Sequence, residues 1–183
     1  LKKLIIGIVL GLSALTAAAQ YSAIANYDYE NADGRAAINS THFGQAGIRF
    51  NTDLGSFDVL GNLKQTVTGD RTHTGGAEVA FNKPIRMGDV TVVGTAAFGA
   101  MDSQKYYRLG AEGFVKLVPS LDAYGGYRFT NNVGSDRGAA TNRYVVGLKA
   151  VAAQNMDVKL GLTQTRYSNE KYHGITSGVE VKF

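Results

Sequence analysis

The chain has 183 residues, a length that fits one domain. Hydrophobic residues make up 44%, too few for a bundle of membrane helices, and zero cysteines exclude a disulfide framework and a thiolate metal site. The formal charge is +4; without Lys2 and Lys3, which lie in a segment expected to be removed, 17 basic residues stand against 15 acidic ones, or +2, and no basic cluster points to nucleic acid.

Residues 1–19 read as a secretory signal peptide. Lys2 and Lys3 form the positive start, Leu4 to Leu15 the apolar core, and Ala17-Ala18-Ala19 the small residues before cleavage ahead of Gln20. The apolar run is shorter than the roughly 20 residues that a spanning helix needs. Leu1 in place of Met reads as an alternative start codon or a clipped end. The rest, 20–183, reads as one β-barrel.

From Gln20 onward, apolar and polar residues alternate with the period of two that marks strands. Ten strands are predicted, at 20–30, 41–52, 56–68, 75–83, 89–101, 105–118, 121–131, 142–153, 156–167 and 174–183. Connections after even strands are tight, as at Asp53-Leu54-Gly55, Pro84 to Gly88, Pro119-Ser120 and Gln154-Asn155. Those after odd strands are mostly longer and polar: 31–40, 69–74, 132–141 and 168–173. The short one at Asp102-Ser103-Gln104 departs from the rule. Short turns at one end and longer loops at the other mark an outer-membrane barrel. An even strand count puts both termini on the periplasmic side and makes the longer loops extracellular.

Charges keep to a single face of each strand. In the third, Phe57, Val59, Gly61, Leu63 and Val67 oppose Asp58, Asn62, Lys64 and Thr66. In the sixth, Tyr107, Leu109, Ala111, Val115 and Leu117 oppose Arg108, Glu112 and Lys116. In the eighth, Tyr144, Val146, Leu148 and Ala150 oppose Arg143 and Lys149. An Arg or Lys facing lipid at the midplane costs about 2–4 kcal/mol, so the apolar face meets lipid and the charged face the lumen. Gln164 and Arg166 fall on the outer face near a strand end, where that cost fades.

A soluble barrel or sandwich would invert the faces. Against it stand the small residues of the apolar face, too thin for a core, and the aromatic residues near strand ends. Tyr27, Tyr29, Phe43, Phe57, Phe81, Phe98, Tyr107, Tyr127, Phe129 and Tyr144 suit interfacial girdles, although Trp is absent.

The last stretch, Gly174 to Phe183, alternates without a miss and ends on an aromatic residue. Val179-Glu180-Val181-Lys182-Phe183 resembles the terminal β-signal of bacterial outer-membrane proteins. The chain is most similar in style to the small OmpA-type and opacity-type barrels. The resemblance implies an all-β, transmembrane, antiparallel up-and-down barrel, with eight strands as the alternative to ten. It implies that Val179, Val181 and Phe183 are read by the barrel-assembly machinery, and that the last strand closes against the first.

Parity sends Arg49, Lys64, Arg108, Lys116, Arg128, Arg143, Lys149, Lys159 and Lys182 to the lumen, facing Asp28, Glu30, Asp58, Glu78, Glu112, Asp122, Asp157 and Glu180. Opposite charges in so narrow a space are expected to pair, because an unpaired buried ion costs several kcal/mol. The result is either a salt-bridged plug or a narrow hydrated conduit.

His42, His73 and His173 are expected near the extracellular rim, as solvated loop residues. Omptin-like proteases place His and carboxylates there, but the spacing here is wide and irregular. Asp33-Gly34-Arg35, Gly69-Asp70-Arg71 and Ser135-Asp136-Arg137 read as turns, with contact of the Arg residues with lipopolysaccharide phosphates or a host surface as the functional alternative.

Three functions follow, in order of preference. The first is a non-enzymatic barrel, structural and porin-like for small solutes or ions. The second is a surface-interaction protein using its loops. The third is a rim hydrolase. No cofactor is implied. The expected partners are outer-membrane lipid, lipopolysaccharide and the assembly machinery, with no nucleic acid, and the default state is a monomer.

Overall fold

The computed structural model describes residues 20–32, 39–68, 70–133, 140–167 and 170–183. The signal-peptide reading and the Asp-Arg features at 33–35 and 135–137 lie outside the described residues. The ten strands are β1 (Gln20–Ala32), β2 (Asn39–Thr52), β3 (Gly55–Thr68), β4 (Asp70–Met87), β5 (Val90–Met101), β6 (Gln104–Val118), β7 (Leu121–Val133), β8 (Thr141–Ala153), β9 (Met156–Tyr167) and β10 (Glu170–Lys182). Every strand pairs antiparallel with its chain neighbours, and β1 closes the barrel on β10. The closing register runs from Ser22↔Lys182 to Ala32↔Tyr172. The strand count is ten, not eight.

Closure follows from the solvent. Hydrocarbon offers no partner to a backbone N–H or C=O, so an open sheet edge is forbidden there. Outward positions are apolar and exposed: Leu63 is 59% exposed, Val146 62% and Leu162 65%. Inward positions are charged and covered, with Asp28, Asp58, Glu78 and Asp157 all buried. A soluble barrel shows the reverse, so the outer surface is the lipid face.

The hairpins are longer than alternation predicts. β4 runs for 18 residues and takes in both Arg71 to Thr74 and Pro84 to Met87. Pro84 pairs with Val93 of β5. There β4 has outrun β3, whose register with it ends at Ser56↔Asn82. An edge position tolerates the missing N–H. The turn falls instead at Gly88-Asp89, where Gly88 takes φ +62°. At the other end, β3 and β4 are parted by one residue and β9 and β10 by two. Only the connections after β1 and β7 are long. Backbone pairing continues past the lipid zone whatever the side chains are, so polar strand ends read as loops in the sequence.

Two tyrosines lie flat on the inner wall over glycines. A Cβ on Gly99 would meet the Tyr106 ring at 2.5 Å, and one on Gly161 would meet the Tyr124 hydroxyl at 2.5 Å and the Val146 carbonyl oxygen at 2.8 Å. These rings fill the lumen beside the strands and are buried. Gly161→Val should therefore overpack the wall and destabilise the barrel by about 1–3 kcal/mol. The guanidinium midpoint of the barrel refolded in vesicles checks this; an unchanged midpoint would refute the packing role.

Candidate functional site

The lumen holds two chambers of about 530 Å³ each. One lies toward the termini, where Arg49, Asp58, Glu112, Asp157, Lys159 and Glu180 line it. The other lies toward the opposite rim, lined by Glu30, Lys64, Glu78, Asp102 and Tyr106 among others. Asp28, Arg108, Arg128 and Arg143 line both chambers, so they form the waist between them.

The waist is built from adjacent strands. Arg128 of β7 sits directly opposite Arg143 of β8. Arg108 of β6 faces Thr130, one inward step from Arg128. Three guanidiniums therefore form a ladder on one wall. Like charges side by side repel, and acids from other strands offset them. Arg143 reaches across to β1 and grips Asp28 through two nitrogens, one bond being Nη2 to Oδ1 at 2.7 Å. Arg108 pairs with Glu78 of β4 at 2.5 Å. Among the described residues Arg128 has only a looser pair, 3.8 Å to Asp28.

Neutral groups extend this layer. Gln45 Nε2 donates to Asn62 at 3.0 Å, Asn62 Nδ2 donates to the Tyr106 hydroxyl at 2.9 Å, and that hydroxyl donates to Glu78 Oε2 at 3.0 Å. On the other side, the Thr165 hydroxyl donates to Glu30 at 2.5 Å. Inward parity already placed Asn62 in the lumen. Gln45 and Tyr106 share that parity but escaped a search directed at charges.

Toward the termini further ion pairs follow. Arg49 holds Asp58 in register by two bonds of 2.8 and 2.9 Å and reaches Glu180 at 2.9 Å. Lys149 and Lys182 share Asp157 at 3.0 and 2.9 Å. Lys159 meets Glu112 at 2.6 Å and lies over the Tyr124 ring at 4.5 Å.

Three residues depart from the expected pairing. Lys116 and Asp122 face each other in register without an ion pair, beside the bulge at Lys116/Val118. Lys64 lines the rim-side chamber with no acid in ion-pair range among the described residues. Phe43 also faces that chamber and is not a girdle residue; it shares the inward parity of Gln45 and Arg49.

The histidines occupy strands, not loops. His42 is on β2, His73 on β4 and His173 on β10, all at outward positions. His42 bonds the Tyr27 hydroxyl at 2.6 Å and packs by Tyr29. The strand carboxylates face inward, so the wall separates them from the histidines. Among the described residues no His and carboxylate group could hold a metal. Among the described residues that geometry does not assemble the omptin-like site.

No family model matches the chain. A 72-residue stretch, 39% of this chain, is 33% identical to a proline–tRNA ligase from Delftia acidovorans but spans only 12% of that protein, so it shows no family. Among solved structures, the β domain of the Bordetella autotransporter BrkA is similar with a TM-score of 0.58 at 10% identity, over 91% of this chain and 100% of that one. The translocator domain of the autotransporter NalP from Neisseria meningitidis gives 0.54 at 12% identity, over 98% and 95%. The KdgM porin gives 0.44 at 14% identity, over 87% and 99%. At such identities the likeness is one of fold.

The ion pairs divide the lumen into strong and weak positions. Arg108→Leu leaves the Glu78 side chain, fully covered, without its cation and should cost about 3–5 kcal/mol. Lys64→Leu orphans no described acid and should cost under about 1 kcal/mol. Chemical unfolding of both variants checks the contrast, and equal effects would contradict the pairing. Ten strands in a closed antiparallel ring, charged within and apolar without, give this chain the fold of a small bacterial outer-membrane β-barrel protein.

Proposed function

We propose that the protein is a non-enzymatic barrel of the outer membrane whose lumen is a narrow hydrated conduit for small ions or solutes, constricted at the arginine waist. The observation that carries this is the pair of chambers of about 530 Å³ each, meeting at four shared residues. One water needs only about 10–15 Å³ of such space. Both chambers are polar enough to be wet. A barrel of eight strands is filled by its own side chains; ten leave this space.

In this reading the chain is exported through the periplasm, and both termini stay on that side. The turns Asp53-Leu54, Gly88-Asp89, Pro119-Ser120 and Gln154-Asn155 share the end of the termini, so the opposite rim is extracellular. Assembly is the role of the last strand. Val179 and Val181 pair in register with Ala25 and Ala23 of β1, and the Phe183 N–H donates to the Tyr21 carbonyl at 2.9 Å. Phe183 itself is 80% exposed, available to the assembly machinery before closure. The surface-interaction reading rests on loops largely outside the described residues.

Single-channel recording of the refolded barrel in a planar bilayer tests the conduit. Discrete steps are expected, and Arg128→Glu should shift ion preference toward cations, since Arg128 has the loosest pair at the waist. A silent bilayer, with folding verified by a heat-modifiable gel shift, would mean that the charges form a plug. Deletion of Phe183 should lower the folded fraction in the membrane several-fold; full assembly without it would remove the β-signal role.

A further inference from the structure

The outward face has an asymmetry of its own. Among the described residues, no Asp or Glu occupies an outward strand position, whereas Arg71, Lys83, Lys105, Arg166 and Lys171 do. Four of these five cations sit at the hairpin tips opposite the termini; Lys83 alone is near the other end. The described strand acids are on the far side of the wall.

The densest point is the tip of β9–β10. Arg166 and Lys171 are direct cross-strand neighbours, both exposed and both outward. Two like charges in that position are destabilising. No acid lies within ion-pair range of either among the described residues; Arg166 has the Tyr144 ring, 5.9 Å from its guanidinium carbon to the centroid. Among the described residues no acid offsets the repulsion, and an anion between the two cations would.

The rows below continue in a definite order. Gln164 pairs with His173, and Leu162 with Ile175. Leu162 and Ile175 are 65% and 50% exposed, on the lipid face. Successive outward rows lie about 7 Å apart along a strand. Over about 14 Å the surface passes from apolar, to hydrogen-bonding, to doubly cationic. Tyr127 and Tyr144, their tilted rings 5.3 Å apart, flank the column on β7 and β8.

We infer that this hairpin face docks the phosphorylated glycolipid of the outer leaflet, lipopolysaccharide, with a phosphate on Arg166 and Lys171. The sugar hydroxyls meet Gln164 and His173, and the acyl chains lie along Leu162 and Ile175. Phosphatidylglycerol and phosphatidylethanolamine have no hydroxyl-bearing ring to set against the middle row. Charge complementarity and the order of the three rows together select the glycolipid. The inference rests on the orientation given under Proposed function, which puts these tips in the outer leaflet.

Native mass spectrometry of the refolded barrel in detergent tests the site, with purified lipid A as the probe. Retention should fall from bisphosphorylated to monophosphorylated lipid A and fall further for phosphatidylglycerol. The double variant Arg166→Gln/Lys171→Gln should lose at least tenfold in apparent affinity, while Lys83→Gln should lose none. Retention of phosphatidylglycerol as strong as that of lipid A, on the unaltered chain, overturns the inference; so does a folded double variant that binds as tightly as the original. Orientation is read separately. The chain has no cysteine, so Ser103→Cys and Asn155→Cys can each be labelled on intact cells with an impermeant maleimide. Labelling at 155 but not 103 overturns the orientation and with it the outer-leaflet assignment. Labelling at 103 with no lipid selectivity overturns the site alone.

Discussion

The structure depends on one constraint: in hydrocarbon, a backbone N–H or C=O finds a partner on the protein or none at all. The pairing of β1 with β10 meets it, because this single seam removes both edges of a ten-stranded sheet. Side-chain chemistry then sorts by parity alone. Once the ring is closed, each residue faces either lipid or lumen, and a shift of one position would exchange the two. Small residues at the seam, Ala23 and Ala25 against Val181 and Val179, let the strands meet there with a smooth outer surface.

The lumen inherits the charges that lipid refuses. Most of its ion pairs join strands that are not directly paired in the sheet, such as Arg143 to Asp28, Arg49 to Glu180 and Lys159 to Glu112. These cross-lumen contacts brace the ring as struts. They also divide it, since the waist of Arg108, Arg128, Arg143 and Asp28 is common to both chambers. In the proposed conduit the same residues would set stability and permeation. The looser position of Arg128 is where the two demands separate.

The exterior follows a different rule. Its middle is apolar, and aromatic pairs edge both ends: Tyr21 with Phe50 and Phe57 with Phe81 near the termini, Tyr107 with Phe129 and Tyr127 with Tyr144 near the other rim. Rings with a polar tip gather on the rim side, and cations lie beyond them. The two ends of the barrel thus present different chemistry to the two faces of a membrane.

Strand number, facing and the inward charges of β3, β6 and β8 were legible in the sequence, because period-two alternation records directly which side of a sheet each residue occupies. Strand ends were not. Arg71 to Thr74 and Glu170 to His173 lost the alternation signal where lipid ends, yet remain strand because their neighbours' backbones are there to pair with. Pro84 read as a turn until the register showed β4 outrunning β3. Pairing across the lumen was equally hidden: parity tells that Lys64 and Arg108 both face inward, but not that Glu78 meets only the latter. By itself the sequence determined the barrel and its two faces, since these depend on local periodicity. The tertiary structure decided which charges meet, where the waist lies and which cations stand together outside, since these depend on the register between strands distant in the chain.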